Sequence, residues 1–290
     1  MEYAIVRGWL GAFYISDDEI KKRFEGCKCV LTISDVYEPD FAEEMNATYY
    51  EENRQRFETV RSMLKDDLSR KIFDAFITAK TRHRNKELLP FVIPKQYFFE
   101  EHPWNYSDED ILVDCGAFDG DSIRDFIGLR GNKYKEIIAF EPDEKNYEKL
   151  KKWIDSSGIQ NVLPIQAGVY KEKNVLTFNS SGDMESFFSE DGDIKIPVES
   201  IDDVCRGKKV TIIKMDIEGS ELDALKGGAN IIRENEPILM ISAYHKKDDL
   251  LVLADFIRNL SNNYVFFLRA HKPLPIDVVL YAVPRERIKK

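Results

Sequence analysis

The chain has 290 residues, with 42 basic and 52 acidic side chains and a formal net charge of −10. This length is enough for one large domain, or for a main domain with a smaller partner. The negative charge argues against nucleic acid or an anionic membrane surface as the main partner, because both attract an excess of lysine and arginine. No apolar run approaches the roughly 18 residues of a membrane span, and the N-terminus lacks a signal-peptide pattern. We therefore expect a cytoplasmic protein.

Residues 1–106 show the pattern of a mostly helical N-terminal subdomain. Ser16–Glu19 is a capping box that predicts a short helix, and Cys29–Ile33 has the composition of a strand. Two amphipathic segments follow, one with apolar residues between Phe57 and Leu64 and one with apolar residues between Ile72 and Ile77. The subdomain could cover the sheet, wall a substrate pocket or form a homodimer contact, and the sequence leaves these roles open.

Residues 107–290 alternate apolar runs with amphipathic helical stretches, which indicates an α/β fold built on a parallel sheet. The last two apolar runs are joined by a segment too short for a helical crossover, so we expect them to pair antiparallel. The predicted sheet has seven strands: Ile111–Asp114, Ile137–Phe140, Val162–Gln166, Val210–Met215, Ile238–Ala243, Tyr264–Leu268 and Val278–Val283.

The first strand ends at Asp114 and enters a loop rich in glycine and acid. Its glycines allow close approach of a ligand, but the spacing differs from the dinucleotide fingerprint and the charge would repel a pyrophosphate. The cationic methionine end of S-adenosylmethionine suits the loop better. Besides Asp114, the predicted cofactor-binding residues of this loop are Gly116, Ala117, Phe118, Asp119, Gly120, Asp121 and Ser122.

The second and third strands add candidate contacts to the nucleoside part of such a cofactor. Glu141 and Pro142 follow the second strand, at the offset where an acid accepts hydrogen bonds from ribose hydroxyls. Gln166 and Ala167 follow the third strand, where they could meet an adenine edge. Glu141 would serve a nicotinamide nucleotide equally well.

The fourth and fifth strands carry the candidate catalytic residues. Lys214, Asp216 and Glu218 alternate with apolar residues and would form one charged row at a strand end, which indicates a polar ligand or an ion network. We predict a catalytic role for Asp216, which could also contact the cofactor. Lys214, deeper in the strand, is either a further catalytic residue or a structural counter-ion to the acids. His245 is the predicted general base, because an imidazole with an ordinary pKa near 6.5 accepts protons at neutral pH. His271, after the sixth strand, could also face the cleft.

These motifs, in this order, resemble the FkbM family of S-adenosylmethionine-dependent methyltransferases. The resemblance covers about the last two thirds of the chain and is carried by Val113–Asp121, Phe140–Asp143, Ile213–Glu221, Ala243–Lys246 and Leu280–Ala282. It implies a Rossmann-like methyltransferase sheet of seven strands. It also implies O-methylation of a hydroxyl on a small molecule or a sugar, without an obligatory metal.

The resulting hypothesis is methyl transfer from S-adenosyl-L-methionine to a small-molecule or carbohydrate hydroxyl, with no nucleic acid or membrane as partner. One alternative is an NAD(P)-dependent Rossmann oxidoreductase, and another is a non-catalytic module that binds S-adenosylmethionine. We assign no metal to the site, although Asp216, Glu218 and His245 offer suitable ligand atoms if they converge.

Overall fold

The computed structural model describes residues 3–5, 22, 25, 29–31, 45–82, 84–178 and 194–290. The predicted helix at Ser16–Glu19 lies outside the described residues. The predicted strand at Cys29–Ile33 is described for three of its residues. These form strand β2 (Cys29–Leu31), which pairs in parallel with strand β1 (Tyr3–Ile5).

Seven strands form the central sheet, as the sequence predicted. The described strands are β1 (Tyr3–Ile5), β2 (Cys29–Leu31), β3 (Ile111–Cys115), β4 (Glu136–Phe140), β5 (Val162–Ile165), β6 (Gly168–Val169), β7 (Asn174–Phe178), β8 (Ile194–Glu199), β9 (Ile212–Met215), β10 (Ile238–Ser242), β11 (Tyr264–Ala270) and β12 (Val278–Pro284). The spatial order of the seven strands in the central sheet is β11-β12-β10-β9-β3-β4-β5. Neighbouring strands from β10 to β5 run parallel, whereas β12 is antiparallel to both β10 and β11.

The strand order reverses between β3 and β9, so the carboxyl ends of these two strands border the crevice where open α/β sheets bind ligands. Asp114 in β3 pairs with Lys214 in β9, and Cys115 pairs with Met215. The last residues of both strands therefore lie level with each other at this edge of the sheet.

Helices cover both faces of the sheet, and a cluster of buried apolar side chains lies on each face. The described α-helices are α1 (Ala47–Glu52), α2 (Arg54–Met63), α3 (Asp67–Arg82), α4 (Asp121–Arg130), α5 (Glu144–Ser157), α6 (Ile201–Val204), α7 (Glu221–Gly227), α8 (Ala229–Asn235) and α9 (Asp249–Leu260). Short 3-10 helices occupy Asn85–Glu87, Leu89–Phe91 and Arg285–Arg287. The sheet with flanking helices confirms the predicted α/β class.

The two amphipathic segments of the N-terminal part form α2 and α3, and both pack on the sheet domain. Phe57 and Phe73 belong to the same buried cluster as Phe266 in β11. Buried Arg269 of β11 reaches across to Asp66, with a 2.7 Å contact between Nη2 and Oδ2. The helices therefore extend one face of the main core, and the boundary at residue 106 stays a prediction.

A second sheet of three strands, in the order β6-β8-β7, lies outside the predicted elements. Its strands follow the third strand of the main sheet, and β7 pairs antiparallel with β8. Among the residues described, no helix is long and apolar enough to cross a membrane.

Candidate functional site

The loop after β3 turns back tightly because Gly116 has a φ of +79°, which glycine adopts without strain. The N–H groups of Gly116 and Ala117 both donate to the carbonyl of Phe140, at 3.0 and 2.9 Å. A Cβ added to Gly116 would lie only 2.1 Å from the carbonyl oxygen of Asp216. Gly116 therefore lets the loop touch the ends of β4 and β9 at once.

Asp114 and Lys214 lie beneath this loop and pair with each other. Their carboxylate and ammonium groups are 3.0 Å apart, with side-chain exposures of 0% and 3%. Lys214 also donates to the carbonyl of Gly116 at 2.6 Å, and Ser122 donates to Asp114 at 2.5 Å. Burial by itself lowers the pKa of Lys214, but the charges of Asp114 and Asp216 outweigh it and raise that pKa. The structure thus places the predicted catalytic lysine and the predicted cofactor ligand Asp114 below the cleft, where they support the loop.

Glu141 is nearly buried at the end of β4, next to the glycine loop. Its carboxylate accepts the N–H groups of Phe118 at 2.7 Å and Asp143 at 2.9 Å. Burial raises the pKa of Glu141 to about 7, against the opposing effect of these two donors. Each carboxylate oxygen keeps a further lone pair for a ligand hydroxyl.

The other predicted cofactor residues line the same edge with different exposures. Phe118 and Asp121 are exposed, and Asp119 pairs with Arg124 at 2.5 Å. Gly120, with a φ of +91°, is the N-cap residue of α4 and packs against Trp153 of α5. Pro142 is half-buried, Gln166 is exposed, and Ala167 is buried.

The predicted charged row does not continue as a strand. β9 ends at Met215, and Asp216 and Glu218 lie in a turn between β9 and α7. Glu218 has a φ of +52°, which is uncommon for a residue with a side chain and is typical of strained functional turns. The prediction of one charged row was wrong because hydrogen bonds hold this segment in a turn. The backbone N–H of Asp216 donates to the carbonyl of Cys115, and the backbone N–H of Ile217 donates to the carboxylate of Glu221.

This turn brings Asp216 and Glu218 beside His245, which follows β10. His245 Nε2 lies 3.5 Å from Asp216 Oδ1 and 3.3 Å from Glu218 Oε2, and Nδ1 lies 3.1 Å from Glu221 Oε1. Burial by itself lowers the pKa of His245, but Glu221, Glu218 and Asp216 outweigh it and raise the pKa well above 6.5. The expectation of an ordinary pKa for His245 is therefore wrong.

Several polar residues beside Asp216 were missed by the sequence analysis. The hydroxyl of Tyr244 donates to Asp216 Oδ1 at 3.3 Å. Tyr97, from the N-terminal part, forms a 2.8 Å hydrogen bond with Ser242 at the end of β10. Gln96 donates to the hydroxyl of Tyr97 at 3.0 Å. Tyr97 stands 145 positions before Ser242, so only the folded chain shows that they meet.

His271 does not join this group of residues. Its Nδ1 lies 3.0 Å from the carbonyl of Ile93, and its Nε2 lies 2.9 Å from the hydroxyl of Tyr281. Burial lowers the pKa of His271 to about 4. This histidine is a neutral, hydrogen-bonded part of the core.

The site therefore has two groups of polar residues, one on each side of the loop after β3. Glu141 and the loop offer hydrogen-bond acceptors and a route for close backbone approach, which suits a nucleoside with a cationic end. Asp216, Glu218, His245 and Tyr244 offer carboxylates, an imidazole and a hydroxyl at the ends of β9 and β10. Such groups can orient a polar acceptor or hold a cation.

Comparison with known proteins gives the following similarities. Residues 114–268, more than half of the chain, match the family model described as the methyltransferase FkbM domain. The solved structure of methyltransferase FkbM from Methylobacillus flagellatus KT is 29% identical, with a TM-score of 0.74 over 91% of this chain and 69% of that chain. Curated protein sequences give no match.

More distant solved structures are also similar to this chain. An rRNA methylase from Streptococcus thermophilus is 17% identical and has a TM-score of 0.40, with 63% of this chain and 89% of that chain covered. Aeropyrum pernix fibrillarin, in complex with natively bound S-adenosyl-L-methionine, is 13% identical and has a TM-score of 0.40, with 64% and 70% covered.

Proposed function

Because the chain belongs to the FkbM methyltransferase family, we propose that it transfers a methyl group from S-adenosylmethionine to a hydroxyl oxygen of a small molecule or a sugar. The observation that carries the proposal is the junction at Gly116, which joins the ends of β3, β4 and β9. This junction sets Glu141 on one side of the loop and Asp216 on the other.

The residues of the loop side suit S-adenosylmethionine. Glu141 would accept hydrogen bonds from the ribose hydroxyls, and the exposed Gln166 lies after β5 on the adenine side. Acidic residues, among them Asp216 and Asp121, would attract the cationic methionine end. When bound, the cofactor supplies an electrophilic methyl group on its sulfonium.

Asp216 is the residue that we assign to the acceptor. Its side chain is 24% exposed, in contrast to the buried Asp114 and Lys214, and Tyr244 holds its Oδ1. We assign to Asp216 the hydrogen bond from the acceptor hydroxyl, which would aim the oxygen at the methyl group. Asp216 would also take the proton that this hydroxyl loses as the methyl group leaves the sulfonium. Alignment of this kind supplies most of the rate in such a displacement.

His245 takes a different role from the one that its position in the sequence suggested. Because His245 lies between three carboxylates, it would hold Asp216 and Glu218 in place, so it is a positioning residue in this proposal. Lys214 supports the loop through Asp114 and Gly116 and does not touch the acceptor.

The proposal is tested by incubating the protein with isotopically methyl-labelled S-adenosylmethionine and an extract of metabolites and glycans. Mass spectrometry should find the label on the oxygen of a hydroxyl acceptor. Asp216→Asn should lower kcat/KM by about 100-fold or more. Asp223→Asn is the matched control, because this acid has a similar exposure, 31%, and pairs with Lys226 on α7 outside the site.

Two results would contradict the proposal. Bound cofactor with no labelled product from any extract would favour the non-catalytic module. Oxidation or reduction of NAD(P) by the protein in the presence of the same extract, with no methyl label on any product, would favour the oxidoreductase.

A further inference from the structure

The turn after β9 and the residue after β10 bring three potential metal ligands together. Among the residues that the structure describes, Asp216, Glu218 and His245 offer one ligand atom each, and these atoms all lie within 4.8 Å of one another. Two carboxylates and one imidazole form a mixed oxygen and nitrogen set of the kind that divalent transition metals accept.

The distances in this group fit ligands that share one cation. His245 Nε2 lies 3.5 Å from Asp216 Oδ1 and 3.3 Å from Glu218 Oε2. Two ligand atoms that are each about 2.1 Å from a metal ion, at roughly 90 to 110° to one another, are about 3.0 to 3.4 Å apart. The ligand atoms of Asp216 and Glu218 lie within 4.8 Å of each other.

The imidazole gives an independent indication of a ligand. The side chain of His245 is 7% exposed, and neither ring nitrogen makes a hydrogen bond with the described residues. The nearby carboxylate oxygens lie within ion-pair distance, but none of these contacts has the alignment of a hydrogen bond. A metal ion at Nε2 would displace any proton from that nitrogen and give the ring a directed bond that these contacts do not provide.

The other side of the imidazole carries the group that usually orients a metal-binding histidine. Nδ1 faces fully buried Glu221 at 3.1 Å. In metal sites the second ring nitrogen commonly donates to a carboxylate, which fixes the ring and strengthens the ligand. Ile217 donates to the same Glu221 oxygen at 3.0 Å, so the turn that carries Asp216 and Glu218 is tied to this carboxylate.

We propose that Asp216, Glu218 and His245 Nε2 form a binding site for one divalent metal ion at the carboxyl ends of β9 and β10. Its binding requires neither cofactor nor acceptor. Its use in the reaction rests on the proposed function: a cation here would bind the acceptor's hydroxyl oxygen and lower the pKa of that hydroxyl.

The experiment uses Mn²⁺ as the probe, with protein that has been treated with chelator and dialysed. Electron paramagnetic resonance measures free Mn²⁺ during a titration of the protein alone. We expect one Mn²⁺ per chain, and competition by Mg²⁺ or Zn²⁺. Glu218→Gln should weaken Mn²⁺ binding about tenfold or more. This side chain is 43% exposed, so the substitution leaves the packing of the fold intact.

Two control variants separate this site from general acidity and from the neighbouring acids. Glu234→Gln removes the same charge from an exposed position on α8 and should leave Mn²⁺ binding unchanged. Asp249→Asn should also leave it unchanged, because Asp249 belongs to a separate group with His245 and Glu221, and Glu221 faces Nδ1.

The proposal is overturned if the protein does not bind Mn²⁺, if Glu218→Gln binds it as wild type does, or if only Asp249→Asn loses it. Because the titration contains no S-adenosylmethionine, a failure here would leave the proposed methyl transfer standing. Conversely, a protein that binds Mn²⁺ and transfers no methyl group would refute the proposed function alone.

Discussion

At the scale of the single residue, Glu141 combines burial with a role that needs its negative charge. Burial raises its pKa to about 7 from 4.5. A carboxyl group whose pKa is raised on folding stabilises the fold below its unfolded pKa, and this contribution is lost as pH rises through the folded pKa. The charge that would bind ribose hydroxyls therefore lowers the stability of the free protein at neutral pH.

We predict that the free energy of unfolding of the wild type falls relative to that of Glu141→Gln as the pH rises. The relative loss between pH 5 and pH 8 should be about 2 to 3 kcal/mol, because the glutamine has no charge to bury. Urea denaturation of both proteins at both pH values measures it. A difference between the two proteins that stays constant with pH would refute the assigned burial effect.

The candidate residues could be chosen from the sequence because polar residues at the ends of parallel strands stand out against apolar runs. The surroundings of these residues in the folded chain could not be predicted from the sequence. The sequence predicted an ordinary pKa for His245, but the turn at Glu218 folds three acids around the ring. From the sequence, Lys214 could be a catalytic residue or a counter-ion to the acids, and its buried pairing with Asp114 is the arrangement of a counter-ion.

At the scale of the element, the turn at Gly116 joins three strands. We predict that Gly116→Ala lowers the free energy of unfolding by several kcal/mol, since the new Cβ would add a backbone clash to the strain of a positive φ. Gly207→Ala is the matched control, because Gly207 has a similar φ of +77° with nothing within 4 Å of an added Cβ. It should cost about 1 kcal/mol.

Chemical denaturation of the two variants measures this difference. Similar losses for both would mean that the positive φ alone matters and that the close approach of the loop to Asp216 does not. A large loss only for Gly116→Ala would show that the junction itself requires glycine.

The seven strands of the main sheet could be predicted because buried parallel strands are continuous apolar runs. Their ends shifted by one or two residues, as for β9, which begins at Ile212 in place of Val210. The three-stranded sheet was missed because β6 has two residues and β7 contains polar and exposed positions. The third strand, β8, does alternate, with Ile194, Ile196 and Val198 separated by Lys195 and Pro197, so this strand could have been predicted.

At the scale of the whole molecule, the N-terminal helices could be predicted as helices but not placed. Their apolar faces show that they pack on something, and the folded chain shows that they extend the core at β11. Tyr97 and Gln96 then bring the N-terminal part to the end of β10, next to Ser242. The sequence had left open whether this part covers the sheet, walls a pocket or forms a dimer contact.

In the proposed function, the edge formed by β3, β4 and β9 binds S-adenosylmethionine. Isothermal titration calorimetry of the protein with S-adenosylmethionine, and separately with NAD⁺, measures this binding. We expect one S-adenosylmethionine to bind per chain. Glu141→Ala should lower the affinity about tenfold or more because hydrogen bonds to a charged group are lost, and Glu234→Gln should leave the affinity unchanged. Binding of NAD⁺ with no heat from S-adenosylmethionine would contradict the claim.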